Sequence, residues 1–355
     1  MTMIASKKIL LFFLLTQYWI ITAQQVEKKT YHKELEVLPN ALIEIENQFG
    51  DLKMTSWDEN RVVIDILITV EGNNNKRLAE KLEDISVYFE LEPDHIVAKT
   101  RIEEEWVFTL FGRSRLKYRI DYTVKLPRSS RVDLDNDYGT IVLNTLDGAA
   151  KISCDYGKIV VGTLNSESNF LAFDYTKNSS FEFILGGEIK ADFSEFEVQE
   201  AGQIDLEADY TTSEFNTIQR LNYKNDFGKL LIDKINTLEG KGDYLTLKIG
   251  TLFQEASLNN EFGLIRIDQV MPSTKSLLID SEYCSIQLGI APEWEFQHEI
   301  DLDFAGLKST LALEHSIQKS ESTEKYYKGF HRNNQSLNQL KITSEFGSVK
   351  LTSKP

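Results

Sequence analysis

Only two cysteines, Cys154 and Cys284, occur in 355 residues, so there is no disulfide framework and no cysteine pair to hold a zinc ion. Basic residues are also in short supply: 39 Lys and Arg stand against 55 Asp and Glu, a formal net charge of −16. Such a chain is repelled by nucleic acid and by anionic lipid, and nucleic acid is excluded as a partner. Beyond the first 23 residues no apolar run is long enough to span a bilayer. Nucleophile elbows and phosphate-binding glycine loops are missing. His32, His95, His298, His315 and His331 fall at no metal-ligand spacing, and each reads as a surface or internally satisfied residue. Acid pairs are too abundant to single out a glycosidase dyad. No catalytic, cofactor-binding or metal-binding residue is therefore assigned.

Hydrophobic residues make up 41% of the chain, ample for a large core, which rules out a disordered protein. Residues 1–23 read as a secretory signal: Lys7 and Lys8, an apolar run from Ile9 towards Ile21, then Thr22-Ala23 before Gln24. The alternative, an uncleaved anchor, suits the run less well, because it is shorter than the roughly 20 residues of a membrane span. Cleavage would leave 37 basic residues against 55 acidic ones, a net charge of −18. Export to the periplasm or cell surface is the expectation.

The dominant feature is a repeated phrase. Asn136-Asp137-Tyr138-Gly139-Thr140-Ile141-Val142-Leu143 is echoed by Cys154-Asp155-Tyr156-Gly157-Lys158-Ile159-Val160-Val161. The aromatic returns at Tyr175, Phe193, Tyr210, Phe227, Tyr244, Phe262, Tyr283 and Phe304, with outlying copies at Phe49 and Phe346. From Tyr138 to Phe262 the interval is 17 to 19 residues, shorter than a helical repeat and close to one coil of a β-solenoid. The third and fifth residues after the aromatic are apolar, as in Ile141 and Leu143 or Leu230 and Ile232. That step of two is strand alternation, while the step of three after the aromatic demands a corner. Gly139, Gly157, Gly228, Gly263 and Gly347 are placed to make that corner through positive φ, with Thr176, Ser194, Thr211 and Ala305 as small substitutes. The fold expected is all-β: a parallel β-solenoid or β-helix of 17–21-residue coils, its aromatics and aliphatics stacked in one core.

Residues 24–130 are expected to form an N-terminal β-rich cap and 131–355 the repeat region. Within the cap, Leu78, Leu82 and Ile85 sit at helical spacing and predict one short helix. Trp106, Phe108 and Phe111 lie in an apolar segment that reads either as a buried hairpin or as a peripheral membrane contact. Residues 316–336 are polar and read as an inserted loop, after which the copy at Phe346 closes the stack.

An acid precedes the aromatic in eleven of twelve copies, from Asp137 and Asp155 through Asp243, Glu261 and Glu282 to Asp303 and Glu345. Stacked coils would set these carboxylates about 4.8 Å apart, where like charges repel. Backbone amides could offset the repulsion structurally; a row of calcium ions is the other reading. Cys154 and Cys284, seven coils apart, would be separated by about 30 Å, too far for a disulfide. Cys284 beside an aromatic corner could be an accessible thiol.

With these motifs in place, the chain resembles a family of exported bacterial proteins, the putative adhesins, whose function is unknown. The resemblance rests on Asn47-Gln48-Phe49-Gly50-Asp51-Leu52 followed by Trp57-Asp58, and on Tyr122-Thr123-Val124-Lys125-Leu126-Pro127 leading into Asn136-Asp137-Tyr138-Gly139. The resemblance marks the fold and brings no site residues with it; the export signal, the coil period and the lack of catalytic motifs lead to the expectation of a non-enzymatic envelope protein whose stacked surface binds a cell-surface polymer or an envelope protein. A carbohydrate-active enzyme, lyase or hydrolase, stays open because sites on β-helices are assembled from several coils. So does a structural or stress-response envelope component.

Overall fold

The computed structural model describes residues 25–103 and 116–354. The expected secretory segment and Trp106, Phe108 and Phe111 lie outside the described residues. The protein is all-β: 24 strands are hydrogen-bonded into one long sheet, with one α-helix, Asn75–Asp84, among the described residues. Asn74 caps that helix by accepting a bond from the Arg77 amide at 3.2 Å, and Leu78 is its buried contact.

Two ladders of parallel strands run through the sheet. In the first, strands that end on the motif acid pair with their counterparts: Asp155 with Asp174, Asp192 with Asp209, Glu261 with Glu282. In the second, strands that begin after the aromatic pair likewise: Ile141 with Ile159, Leu230 with Leu247, Ile265 with Ile286. Each motif copy therefore lies beside the next, and the third and fifth apolar positions stack on their own kind. Ile141, Ile159, Leu230, Leu247, Ile265 and Ile286 have no exposed surface, and with the inward residues of the first ladder they form one continuous core.

Both ends depart from chain order. Leu42–Gln48 pairs with Arg131–Asp137 on one side and His95–Ile102 on the other, so the first copy is second in line. Gln339–Glu345 is clasped between Ser276–Ile290 and Phe296–Asp303, so the last copy does not close the stack. The physical reason lies in residues 314–331. They form an antiparallel hairpin, Glu314–Ser320 with Glu324–His331, rather than the expected loop, and the hairpin occupies the outer edge of Phe296–Asp303. Only the inner edge is left for the C-terminal strands. At the other end Ile85–Glu92 lies antiparallel on His95–Ile102, and Gln25–Glu36 on Arg61–Gly72. Antiparallel strands thus cover the outer edges of His95–Ile102, Lys117–Pro127 and Phe296–Asp303, which would otherwise template pairing with another chain, whereas Gly306–Ser309 pairs only with Ser348–Ser353.

Candidate binding face

The motif residues make a ridge along the molecule. Twelve rings stack in the order Phe49, Tyr138 through Tyr283, Phe346, Phe304, with centroids 4.8–5.2 Å apart and planes within 2–9° of parallel. They are not core residues as the repeat suggested: apart from half-buried Phe49, they are 37–58% exposed. The expected corner is also relocated. Positive φ falls on the aromatics themselves, at 47–61°, a costly conformation for a bulky side chain. The following glycine serves close approach instead. A Cβ on Gly139 would lie 1.7 Å from the Gly50 carbonyl oxygen. Where Thr176, Ser194 and Thr211 replace glycine they are buried, and their hydroxyls bond between successive motif copies: Ser194 Oγ accepts from the Thr176 amide at 3.0 Å, and Thr211 Oγ1 from the Ser194 amide at 3.1 Å.

Because the rings from Tyr138 to Phe346 have both faces against their neighbours, that length of the ridge presents ring edges and tyrosine hydroxyls to the outside, while the terminal Phe304 stacks on Phe346 alone.

Beside the ridge runs the acidic row. Asp174 Oδ1 accepts from the Asp192 amide at 3.2 Å, Asp192 Oδ1 from the Asp209 amide at 3.0 Å, and Asp226 Oδ1 from the Asp243 amide at 2.9 Å. From Asp155 to Asp226 each carboxylate thus meets the amide of the next motif acid, which offsets part of the repulsion between like charges, whereas Asp303 Oδ1 is buried without a partner. Repulsion and burial are still felt: the carboxyls of Asp137 and Asp209 titrate above the usual range, chiefly through burial. Among the described residues no cluster of three or more His, Cys, Asp or Glu is arranged to hold a metal ion.

Cys154 and Cys284 are both buried and unpaired. Burial pushes the Cys154 thiol up to about 12 and that of Cys284 to about 11. Cys284 is no accessible thiol: it is 2% exposed, with Sγ 3.3 Å from the Asn260 carbonyl.

The outward residues of the first ladder form a broad face with two shallow depressions. One, of about 410 Å³, is bordered by Glu188, Asp205, Glu207, Asn222, Lys224 and Glu239. The other, of about 510 Å³, is bordered by Glu239, Lys241, Ser257, Asn259, Asp280 and Lys341, with Leu278 in its floor. Both include Glu239 and Gly240, so they run together across successive strands. In the first depression the charged side chains other than Glu239 are partnered: Lys224 to Glu207 at 2.8 Å, Lys190 to Glu188 at 3.1 Å, and Asn222 Nδ2 to Asp205 at 2.7 Å. The Lys224 ammonium holds the Glu207 carboxyl below its ordinary range.

A histidine group went unseen in the sequence. His298 and His331, 2% and 7% exposed, flank Phe296, and His298 Nε2 lies 3.0 Å from His315 Nδ1. Burial, then the nearby His315 and His331, push His298 down to about 4. Only the antiparallel hairpin brings the three together, and no short-range spacing announces it.

No protein-family model matches the chain, and neither does any curated protein. Solved structures similar to it include a putative cell adhesion protein from Clostridium sporogenes (11% identity, 92% of this chain, 100% of the other, TM-score 0.18). A putative adhesin from Parabacteroides distasonis covers 73% of this chain and 97% of its own at 10% identity, TM-score 0.36. A putative lipid binding protein from the same species covers 92% and 97% at 8% identity, TM-score 0.27. The adhesin name agrees with the resemblance read from the motifs. At these identities and TM-scores no residue role and no ligand passes to this chain.

Proposed function

We propose that this chain is a non-enzymatic, exported envelope protein that serves as an adhesin-like binding scaffold. Its motif copies, paired in parallel one coil after another, are read as a β-solenoid under an N-terminal β-rich cap. The observation that carries the reading is the broad outer face, where side chains from successive strands border two adjoining shallow depressions. Such a face suits an extended partner, a cell-surface polymer or the surface of an envelope protein. Export rests on residues 1–23, and among the described residues no helix is long and apolar enough to cross a membrane.

A second reading, a carbohydrate-active enzyme, is favoured by one observation: Glu188, Asp205, Glu207 and Glu239 converge from neighbouring coils. Glu207, held ionised by Lys224, would suit only the base or nucleophile, and hydrolysis also calls for a second carboxyl kept protonated as the acid. A structural or stress-response role in the envelope is the third reading. Cosedimentation of the purified chain with peptidoglycan and cell-surface polysaccharides, in calcium and in chelator, separates them when the supernatant is assayed for released fragments. Binding without release is expected. Released fragments would overturn the scaffold in favour of the enzyme, loss of binding in chelator would assign calcium to the acidic row, and neither binding nor release would shift the weight to the third reading.

A further inference from the structure

The two adjoining depressions differ in one respect. On the outer face Lys99, Lys151, Lys190 and Lys224 each pair with an acid, and Lys328 holds Glu299 at the far end at 3.3 Å. Between these mated stretches Lys241, Asn259, Asp280 and Lys341 are exposed and make no side-chain hydrogen bond or ion pair. Register explains why. Lys241 has Lys224 on one side and Asn259 on the other. Lys341 lies between Leu278 and Glu299, and Glu299 is taken by Lys328. Two cations of this depression are thereby left without partners in a chain with an excess of acids, as is Arg220 outside it on the same face.

We propose that this second depression is a subsite for a neutral, linear oligosaccharide, an inference that rests on the scaffold reading and names its ligand. Two lysines balance Glu239 and Asp280, so the border carries no net charge and suits neither a polyanion nor a polycation. Donors and acceptors alternate around it, with Ser257 and Asn259 supplying both, which matches the paired donor and acceptor character of sugar hydroxyls. Half-buried Leu278 in the floor supplies apolar contact for the C–H face of a ring. The depression crosses four strands, those of Glu239, Ser257, Leu278 and Lys341, a span of roughly 14 Å at the strand spacing. A sugar chain running along the stack would set about one ring over each coil.

The test uses the mature chain and neutral cello-, manno-, xylo- and N-acetylchito-oligosaccharides of two to six units, titrated calorimetrically. Lys341→Met and Asn259→Ala are compared with Lys151→Met, a lysine of the mated stretch that pairs with Asp133 and borders neither depression. All three positions are on the surface, and unchanged melting temperatures verify folding. Binding of at least one series is expected, tightening with length up to about four units. A loss of about tenfold or more is expected in the first two variants, and none in the third. Binding that Lys341→Met and Asn259→Ala leave intact overturns the subsite while the scaffold reading stands. Silence of the neutral series alongside capture of an acidic polysaccharide or an envelope protein overturns the ligand class and again spares the scaffold. Failure to bind any polymer or protein overturns both.

Discussion

Replacing Phe193 probes the ridge where its energetics are most legible. Its φ is 51°, and its ring stacks on Tyr175 at 5.0 Å and on Tyr210 at 4.9 Å. Phe193→Ala removes two stacked contacts worth about 0.5–1.5 kcal/mol each and keeps a Cβ in the left-handed region, which costs roughly 1–2 kcal/mol. Phe193→Gly loses the same contacts but escapes that cost. At an ordinary strand position glycine is the worse choice, by roughly 0.5–1 kcal/mol. The order should therefore invert, with the glycine variant more stable than the alanine variant by about 1 kcal/mol and both below the wild type. Urea unfolding followed by circular dichroism gives the midpoints, read phase by phase because repeat arrays can unfold in stages. Glu197→Ala and Glu197→Gly, on the exposed side of the neighbouring strand, serve as the ordinary case. An alanine variant at 193 as stable as the glycine variant, or more so, would refute the idea that stacking sustains a strained corner.

Asp192→Asn keeps an acceptor for the Asp209 amide and removes one charge from the row; it should match or exceed the wild type at low ionic strength, an advantage that fades in salt. Asp192→Ala should cost about 1 kcal/mol, and equal melting temperatures for the two variants would show that the amide bond contributes nothing. His298 titrates at about 4 in the fold against 6.5 unfolded, so the unfolded chain binds the extra proton between these values. Its contribution is complete above pH 6.5 and is lost as pH falls towards 4, by roughly 3 kcal/mol. His298→Gln should flatten the melting temperature over that window, and an unchanged slope would contradict the assignment. Gly139→Ala forces a Cβ onto the Gly50 carbonyl and should cost roughly 1–3 kcal/mol, while Gly306→Ala meets nothing within 4 Å and should be close to neutral by the same thermal melt.

Local rules explain what could be read in advance. The alternation of Ile141 with Leu143 and of Leu230 with Ile232 placed these residues inside, because a strand turns every second side chain the same way. Leu78 and Leu82 at helical spacing located the helix, and Asn74 ahead of them is its cap. The stacking of Tyr138 on Tyr156 was implied by their equal place in the phrase. The exposure of those rings was not: an aromatic before a glycine looks like a core residue beside a flexible corner, and only the backbone shows the left-handed turn falling one residue earlier. His298, His315 and His331 meet through the antiparallel pairing of Phe296–Asp303 with Glu324–His331, and nothing local encodes that pairing.

By itself, then, the order of residues determined the strands of the motif copies, the register between consecutive copies from Tyr138 to Tyr283 and the burial of the aliphatic positions, since all three follow from periodicities of two and about eighteen. Tertiary structure alone decided how the two ends are threaded and which lysines are left without partners. Those outcomes depend on which of several similar strand edges is already occupied: Glu324–His331 covers the outer edge of Phe296–Asp303, the C-terminal strands take the inner edge, and Lys341 arrives beside a Glu299 that Lys328 already holds. Competition between near-equivalent edges is settled by the whole assembly, and no single copy of the motif carries the answer.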